Sequence, residues 1–259
     1  MPFTVSHAAA ALPVHALFRR LPMAALMIGS MAPDFAFFVP FAPFRSSTHS
    51  IAGLFTFCLP VGLVVWYVFL RWMEHPTMAL LPDAWREKLI PTGPITLRLL
   101  GLAAIGIVLG AGTHNLWDSF THSHTWVTSA VPSLRERQPG LGGAPLYHLL
   151  QVASSVIGLA VLTMWLLNLR NRPMPEAPFD WSRADAAITN GTRVMAAATL
   201  VFAAVAAAFG YFEAYAEYNS GIRIFSFMIG TMTGFALAWL AISIWVAAKL
   251  RRARDVPQK

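Results

Sequence analysis

Five stretches of the chain are long, apolar and almost free of charge, which is the pattern of helices that cross a membrane. A spanning helix needs about 20 consecutive, mainly apolar residues. The stretches cover residues 51–70, 99–117, 149–169, 194–212 and 224–248. The sequence therefore predicts an all-α integral membrane protein with about five transmembrane helices.

The segment before these stretches is apolar but irregular. Residues 21–32 are too few to span a bilayer, and Pro33 and Asp34 interrupt the run before it continues over 35–44. We expect residues 1–50 to form a re-entrant or interfacial helical segment, since irregular backbone is tolerated at membrane depth where protein buries it. Arg19 and Arg20 come too late for the charged start of a signal peptide.

We expect one membrane domain over residues 1–259. After the N-terminal segment, residues 51–155 would hold the motif-bearing helices. Residues 156–259 would hold the remaining helices and a basic cytoplasmic tail. Glycines spaced for close helix packing occur at Gly106 and Gly110 and again at Gly230 and Gly234.

Composition supports the membrane class. Hydrophobic residues make up 56% of the chain and charged residues 12%, whereas soluble domains carry about a quarter charged residues. The net charge of +7 is not arranged in the basic and aromatic array that predicts nucleic-acid binding. Cys58 is the single cysteine, which excludes an intrachain disulfide and a thiolate metal cluster.

Lysine and arginine are unevenly divided between the two sides that five spans define. The side with the 73–98 and 170–193 loops, flanking Arg71 and the C-terminal tail carries 13 of the 19 basic residues. Basic loops face the cytoplasm. The sequence therefore predicts a multi-pass membrane protein with its N-terminus outside and its C-terminus in the cytoplasm.

Most residues that could carry chemistry fall on the predicted outer side. Seven of the eight histidines belong to it, together with two aspartates. They are His7, His15, His49, His114, His122, His124 and His148, with Asp34 and Asp118. Ionisable groups near a membrane are costly, so such a gathering points to function.

The sharpest local pattern places His114 and Asp118 four residues apart at the end of the second span. These positions share a helix face, so their side chains could bind one metal ion or two adjacent ones. His122 would continue the same face if the helix persists.

The other candidates each have a structural alternative. Asp34 is either a metal ligand or the N-cap of a helix after a proline turn, and His49 is either a ligand or an interfacial residue beside capping hydroxyls. Arg45 could meet a phosphate or a lipid headgroup. Glu213 and Glu217 could supply a general base or form a solvated helix end.

Several motifs together resemble a known family. They are Met1 to His7, Gly29-Ser30-Met31-Ala32-Pro33-Asp34, Thr48-His49-Ser50, Thr113-His114 through Asp118 to His122, and Pro145 to Gln151. They are similar to the bacterial integral membrane proteins of domain-of-unknown-function family 4184. The resemblance covers nearly the whole chain and is most specific in its first 155 residues. It implies that the protein belongs to the bacterial inner (plasma) membrane.

More distantly, the order of these motifs resembles the LexA-regulated inner-membrane metal-dependent hydrolases. The resemblance implies metal ligands at His7, Asp34, His49, His114 and Asp118. That group has a longer Pro-Asp-x-Asp-His run, whereas Phe35, Ala36 and Phe37 follow Asp34 here. A ligand is therefore missing from this motif, or His122 or His124 replaces it.

Imidazole and carboxylate donors without a thiolate suit Zn²⁺ first, with Mn²⁺ as the alternative. We expect a metal-dependent hydrolase that acts at the outer membrane face on a lipid or another ester or phosphoester. Asp118 would orient the attacking water and Arg45 would bind developing negative charge. The alternative is a non-enzymatic transporter or lipid-binding accessory protein whose His/Asp cluster binds a structural metal or relays protons.

Overall fold

The computed structural model of the protein describes residues 3–38 and 45–252. Expectations for residues 39–44 and for the tail over 253–259 therefore lie outside the described part. Within these ranges the chain is helical, without a strand beyond one isolated bridge. The α-helices of the described residues are α1 Ala11–Leu17, α2 Met23–Met31, α3 Arg45–Thr48, α4 Ile51–Leu80, α5 Asp83–Arg86, α6 Leu97–Thr121, α7 Trp126–Ala130, α8 Leu146–Leu169, α9 Ser182–Ala187, α10 Asn190–Ala214 and α11 Ser220–Arg252.

Five helical segments of the described chain are long and apolar enough to cross a membrane. They are α4, α6 continued through α7, α8, α10 and α11. Their outer faces are apolar: Val156 and Ile157 on α8 are 64% and 61% exposed, as expected of side chains that face lipid. The predicted fold class is confirmed.

The chain groups into two compact units. The first consists of Met1–Tyr67 and Pro94–Asn168, and the second of Val68–Gly93 and Leu169–Lys259. Each is described by itself below. The residues of the predicted metal site all belong to the first unit.

A short helical hairpin at the N-terminus packs against α6 in the first unit. A 3₁₀ turn over Thr4–Ala10 leads into α1, and α2 returns to a second 3₁₀ turn over Ala32–Phe38. The hairpin is shorter than a span, and its apolar residues Ala11, Leu21 and Leu26 are buried within this unit. Within the described residues, the longest apolar helical stretch of this segment, Met23–Phe38, is shorter than the five candidate spans; the re-entrant or interfacial position stays a prediction.

Two glycines allow the backbones of α2 and α6 to touch. A Cβ atom at Gly110 would collide with the carbonyl oxygen of Leu26 and lie 2.7 Å from the backbone nitrogen of Ser30. A Cβ at Gly29 would lie 2.6 Å from the Cα of Ile107. Glycine at these positions therefore sets the separation of α2 and α6, and with it the site at their ends.

In the second unit, α10 and α11 pack through small residues in the same way. A Cβ at Gly230 would lie 2.5 Å from the carbonyl oxygen of Ala207. The aromatic Trp239 on α11 donates a 2.7 Å hydrogen bond to Thr77. The unit also buries the guanidinium of Arg86, which pairs with Asp185.

Candidate metal centre

The candidate site gathers side chains from four separate segments of the first unit. His114 and Asp118 lie one turn apart on α6, and Asp34 lies in the 3₁₀ turn that follows α2. His49 lies between α3 and α4, where the side chain of Ser50 caps α4 by accepting a 2.9 Å hydrogen bond from the Gly53 nitrogen. His7 reaches the site from the N-terminal 3₁₀ turn.

Four donor atoms of this cluster lie at nearly equal separations. Nε2 of His114 lies 3.2 Å from Nε2 of His49, 3.5 Å from Oδ2 of Asp118 and 3.7 Å from Oδ1 of Asp34. Nε2 of His49 lies 3.5 Å from Oδ1 of Asp34 and 3.6 Å from Oδ2 of Asp118. We call these four atoms the four-donor set.

The spacing of the four-donor set fits one metal ion. Donors at 2.0–2.2 Å from a tetrahedral Zn²⁺ are separated by roughly 3.3–3.6 Å. Five of the separations run from 3.2 to 3.7 Å, close to this range. The residues form two overlapping groups that could each hold an ion, His49 with His114 and Asp118, and His7 with Asp34 and His114. The two carboxylates of the set also balance the double charge of the ion.

Burial supplies a second indication that a cation belongs here. Asp34 and His114 are fully buried, and Asp118 is 4% exposed. Oδ1 of Asp34, a member of the four-donor set, makes no hydrogen bond of normal geometry in the described chain, and Nε2 of His49 and Nε2 of His114 lie 3.5 and 3.7 Å from it. Contacts this long satisfy a buried carboxylate oxygen poorly, and a metal ion between these atoms would satisfy it better.

Neighbouring groups fix the orientation of the two most buried donors. Nδ1 of His114 lies 2.8 Å from the carbonyl oxygen of Ser30. A carbonyl can only accept, so Nδ1 carries the proton and the lone pair of a neutral His114 is on Nε2, directed into the four-donor set. The hydroxyl of Thr4 donates a 2.7 Å hydrogen bond to Oδ2 of Asp34, which leaves Oδ1 for the site.

His7 extends the cluster on one side. Its ring stacks on that of His114 with centroids 3.9 Å apart, and its Nε2 lies 3.5 Å from Oδ1 of Asp118. Burial, and after it repulsion from His114 in its protonated form, lowers the pKa of His7 to about 3. His7 is therefore neutral at pH 7, and its unprotonated nitrogen could bind a metal ion.

His122 lies at the edge of the cluster, although α6 does not persist to reach it. The helix ends at Thr121, and the backbone of His122 is extended. Its Nδ1 nevertheless returns to within 3.2 Å of the Asp118 carbonyl oxygen and 3.5 Å of Oδ1 of Asp118. Its Nε2 lies 3.3 Å from the side-chain amide of Gln151 on α8. Both ring nitrogens thus have protein partners, which favours a positioning role over metal ligation.

The remaining candidates lie away from the cluster or outside the described part of the structure. Arg45 begins α3, but its side chain lies outside the described part of the structure. Glu213 and Glu217 are exposed and belong to the second unit, where Glu213 faces Arg223 at 3.8 Å. His124 adopts a left-handed backbone with φ of 60° in the turn before α7.

The sequence reasoning missed three residues that orient the site: Thr4, Ser30 and Gln151. All three lie within motifs that carry the family resemblance. The resemblance therefore pointed to these residues, but it did not indicate what they do. Thr4 could also have been found from spacing, because residues three apart share one face of a 3₁₀ helix. Thr4 and His7 are so related, and both are buried.

The fold and this cluster define a class: multi-pass helical membrane proteins with a buried His/Asp group that can hold a metal ion. Residues 1–244 match the family model described as Domain of unknown function (DUF4184). The chain therefore belongs to the DUF4184 family. Neither the curated proteins nor the solved structures contain a significant match to it.

Proposed function

We propose that the protein is a membrane-embedded metal-dependent hydrolase that cleaves an ester or phosphoester of a lipid. The observation that carries the proposal is the four-donor set, whose separations match one tetrahedral metal site. Two of its donors, His114 and Asp118, lie on a helix long enough to span a membrane, which favours a substrate that is itself in the membrane. The predicted outer-face orientation would place the site among the headgroups of the outer leaflet.

Zinc is the metal we assign first. The set has two imidazole nitrogens and two carboxylate oxygens at tetrahedral spacing, which suits Zn²⁺. Mg²⁺ and Ca²⁺ prefer six or more oxygen donors, and Mn²⁺ is the alternative among metals that accept both nitrogen and oxygen.

We assign separate roles in hydrolysis to the residues around the four-donor set. Bound zinc would lower the pKa of a water ligand and polarise the scissile bond. Asp118 is assigned to orient that water, since its Oδ2 belongs to the four-donor set while its Oδ1 faces His7. His7, neutral and with a buried Nε2 that makes no hydrogen bond in the described chain, is assigned as a further metal ligand. Arg45 remains the proposed contact for negative charge on the substrate.

Metal content tests the first half of the proposal. The full chain would be purified in nanodiscs, and its zinc measured by inductively coupled plasma mass spectrometry. We expect about one zinc ion per chain in the wild type and almost none in His114→Ala or Asp34→Asn. His148→Ala, which removes an exposed histidine, should keep its zinc. A well-folded wild type that takes up no divalent metal would refute the metal centre.

Activity tests the second half. Zinc-loaded protein would be incubated with a panel of phospholipids and other lipid esters, and the products followed by mass spectrometry. Hydrolysis should disappear in His114→Ala and persist in His148→Ala. Hydrolysis that is unchanged in His114→Ala would show that this centre is not its source.

A specific observation also favours the non-enzymatic alternative. Four protein donors can close the coordination sphere of zinc, and closed sites are typical of structural zinc, whereas catalytic zinc keeps one position for water. X-ray absorption spectroscopy of the zinc-loaded protein discriminates between the two. A bound water besides the protein donors supports the hydrolase, and a sphere filled by protein donors alone supports a structural metal in a transporter or accessory protein.

A further inference from the structure

A groove open to the surroundings lies at the turn between α1 and α2, away from the metal centre. Its volume is about 530 Å³. One wall is the turn itself and the other is the exposed face of α6. The lining residues are Ala16, Leu17, Phe18, Arg19, Arg20, Leu21, Ile105 and Leu109.

The turn lies beside the interior of a predicted membrane span. Leu26 on α2 contacts Gly110, and Ser30, one turn later on α2, contacts His114, one turn later on α6. The two helices are therefore parallel. The turn before α2 lies on the side of these contacts that is nearer to the start of α6. Ile105 and Leu109 lie roughly 12 and 18 Å along α6 from its first residue, at 1.5 Å per residue. The hairpin therefore places its turn beside the interior of the predicted span, on the side of the hairpin that faces the start of α6.

Arginine occupies this turn twice in succession. Arg19 and Arg20 are exposed, and neither makes an ion pair or hydrogen bond with any residue of the described chain. No carboxylate is among the lining residues. Two unneutralised guanidinium groups beside a membrane span are costly, so an anion from outside the chain is expected to neutralise them.

The other lining residues specify what that anion carries. Leu17 and Phe18 are 78% and 55% exposed, and Ile105 and Leu109 on the facing helix are 52% and 40% exposed. A ligand that fills the groove must therefore have an apolar part as well as a negative group. An anionic phospholipid meets both requirements, because guanidinium groups bind phosphate well and acyl chains cover aliphatic side chains.

We propose that this groove is a binding site for an anionic phospholipid. Arg19 and Arg20 bind its phosphate from beneath the headgroup layer, with their stems extended towards the interface. The first part of an acyl chain lies along Ile105 and Leu109. The lipid thereby anchors the turn of the hairpin whose other end carries His7 and Asp34.

The probes are dioleoylphosphatidylglycerol and dioleoylphosphatidylcholine, titrated into delipidated full-length protein in detergent. Native mass spectrometry would count the lipids that remain bound. We expect the wild type to bind the anionic lipid more tightly than the zwitterionic one. The double variant Arg19→Gln with Arg20→Gln should bind the anionic lipid roughly 30-fold more weakly, the combined effect of two basic residues near a membrane surface.

The matched control removes two arginines from an exposed loop. Arg135 bonds Ser129 and Arg137 bonds the Gly143 carbonyl, so the Arg135→Gln with Arg137→Gln variant should bind both lipids as the wild type does. Unchanged zinc content or thermal stability would show that the Arg19/Arg20 variant is folded, and the single variants serve if the double one is not. Equal binding of the anionic lipid by the wild type and the folded Arg19/Arg20 variants would overturn the proposal. An equal loss of binding for the anionic and the zwitterionic lipid in the Arg19/Arg20 variants would overturn it as well.

Discussion

The hydrogen bond from Thr4 to Asp34 offers the most direct test of how the candidate metal centre is held. The Thr4 hydroxyl is buried and donates to Oδ2 of Asp34 over 2.7 Å, while Oδ1 of the same carboxylate faces the two imidazoles of the four-donor set. Thr4→Val keeps the shape of the side chain and removes the donor. Oδ2 is then buried without that bond, and the rotation of the carboxylate is less constrained.

The size of the effect follows from the kind of bond. A hydrogen bond to a charged group contributes about 1.5–3 kcal/mol net, and about 1.4 kcal/mol is a factor of ten in affinity. Loss of the bond should therefore weaken zinc binding roughly 10- to 150-fold. Removal of groups that orient metal ligands typically costs 10–100-fold, in the same range.

Competition with a fluorescent zinc chelator, on purified protein in nanodiscs, would measure the affinity. Thr4→Ser retains the hydroxyl and should stay close to the wild type. Thr163→Val is the matched control, because Thr163 makes only a 2.8 Å bond to the Leu159 carbonyl of its own helix. If Thr4→Val and Thr163→Val bind zinc with the same affinity, Thr4 does not orient a metal ligand and the assignment of Asp34 loses its support.

Three further predictions address packing, metal linkage and topology. Gly110→Ala should destabilise the protein by about 1–3 kcal/mol, as overpacking does, because its Cβ would meet the backbone of Leu26 and Ser30; Gly112→Ala, whose Cβ meets nothing within 4 Å, should leave the thermal unfolding temperature unchanged. Chelation of metal should lower the unfolding temperature of the wild type but not that of His114→Ala, since only a protein that binds the ion is stabilised by it. A reporter fused after residue 259 should be cytoplasmic and one inserted near Gly140 external; a cytoplasmic Gly140 reporter would contradict the outer-face orientation.

The spans were predictable because length and apolar composition decide them locally. The structure extends every predicted span, and α6 carries the helix past Asp118. The shared face of His114 and Asp118 was also predictable, since it depends only on helical periodicity. The local pattern did not show that α6 ends at Thr121. The expectation that His122 continues the face of His114 and Asp118 required the helix to include His122, and it stops one residue before.

The meeting of α6 with the rest of the site could not be derived from periodicity. His49 and His114 are 65 positions apart, and their contact depends on how α2 and the residues before α4 pack against α6. The spacing of Gly106 and Gly110 did indicate that another helix packs closely against α6. It did not say that the partner would be the short α2, because an apolar segment too short to span has no unique place in a membrane protein.

The two halves of the candidate centre differ in exposure, and this difference decides where chemistry could occur. Asp34 and His114 are fully buried, and each is fixed by a bond from outside the four-donor set, to Thr4 and Ser30. The side chain of His49 is also held from outside the set, since its Nδ1 lies 3.0 Å from the hydroxyl of Thr48, but it remains 11% exposed. A partly exposed donor gives a fifth ligand access to the centre, whereas the fully buried pair does not. If the centre is catalytic, water and substrate should therefore enter on the His49 side. Arg45, four residues before His49, is then the cationic residue nearest in sequence to that entrance.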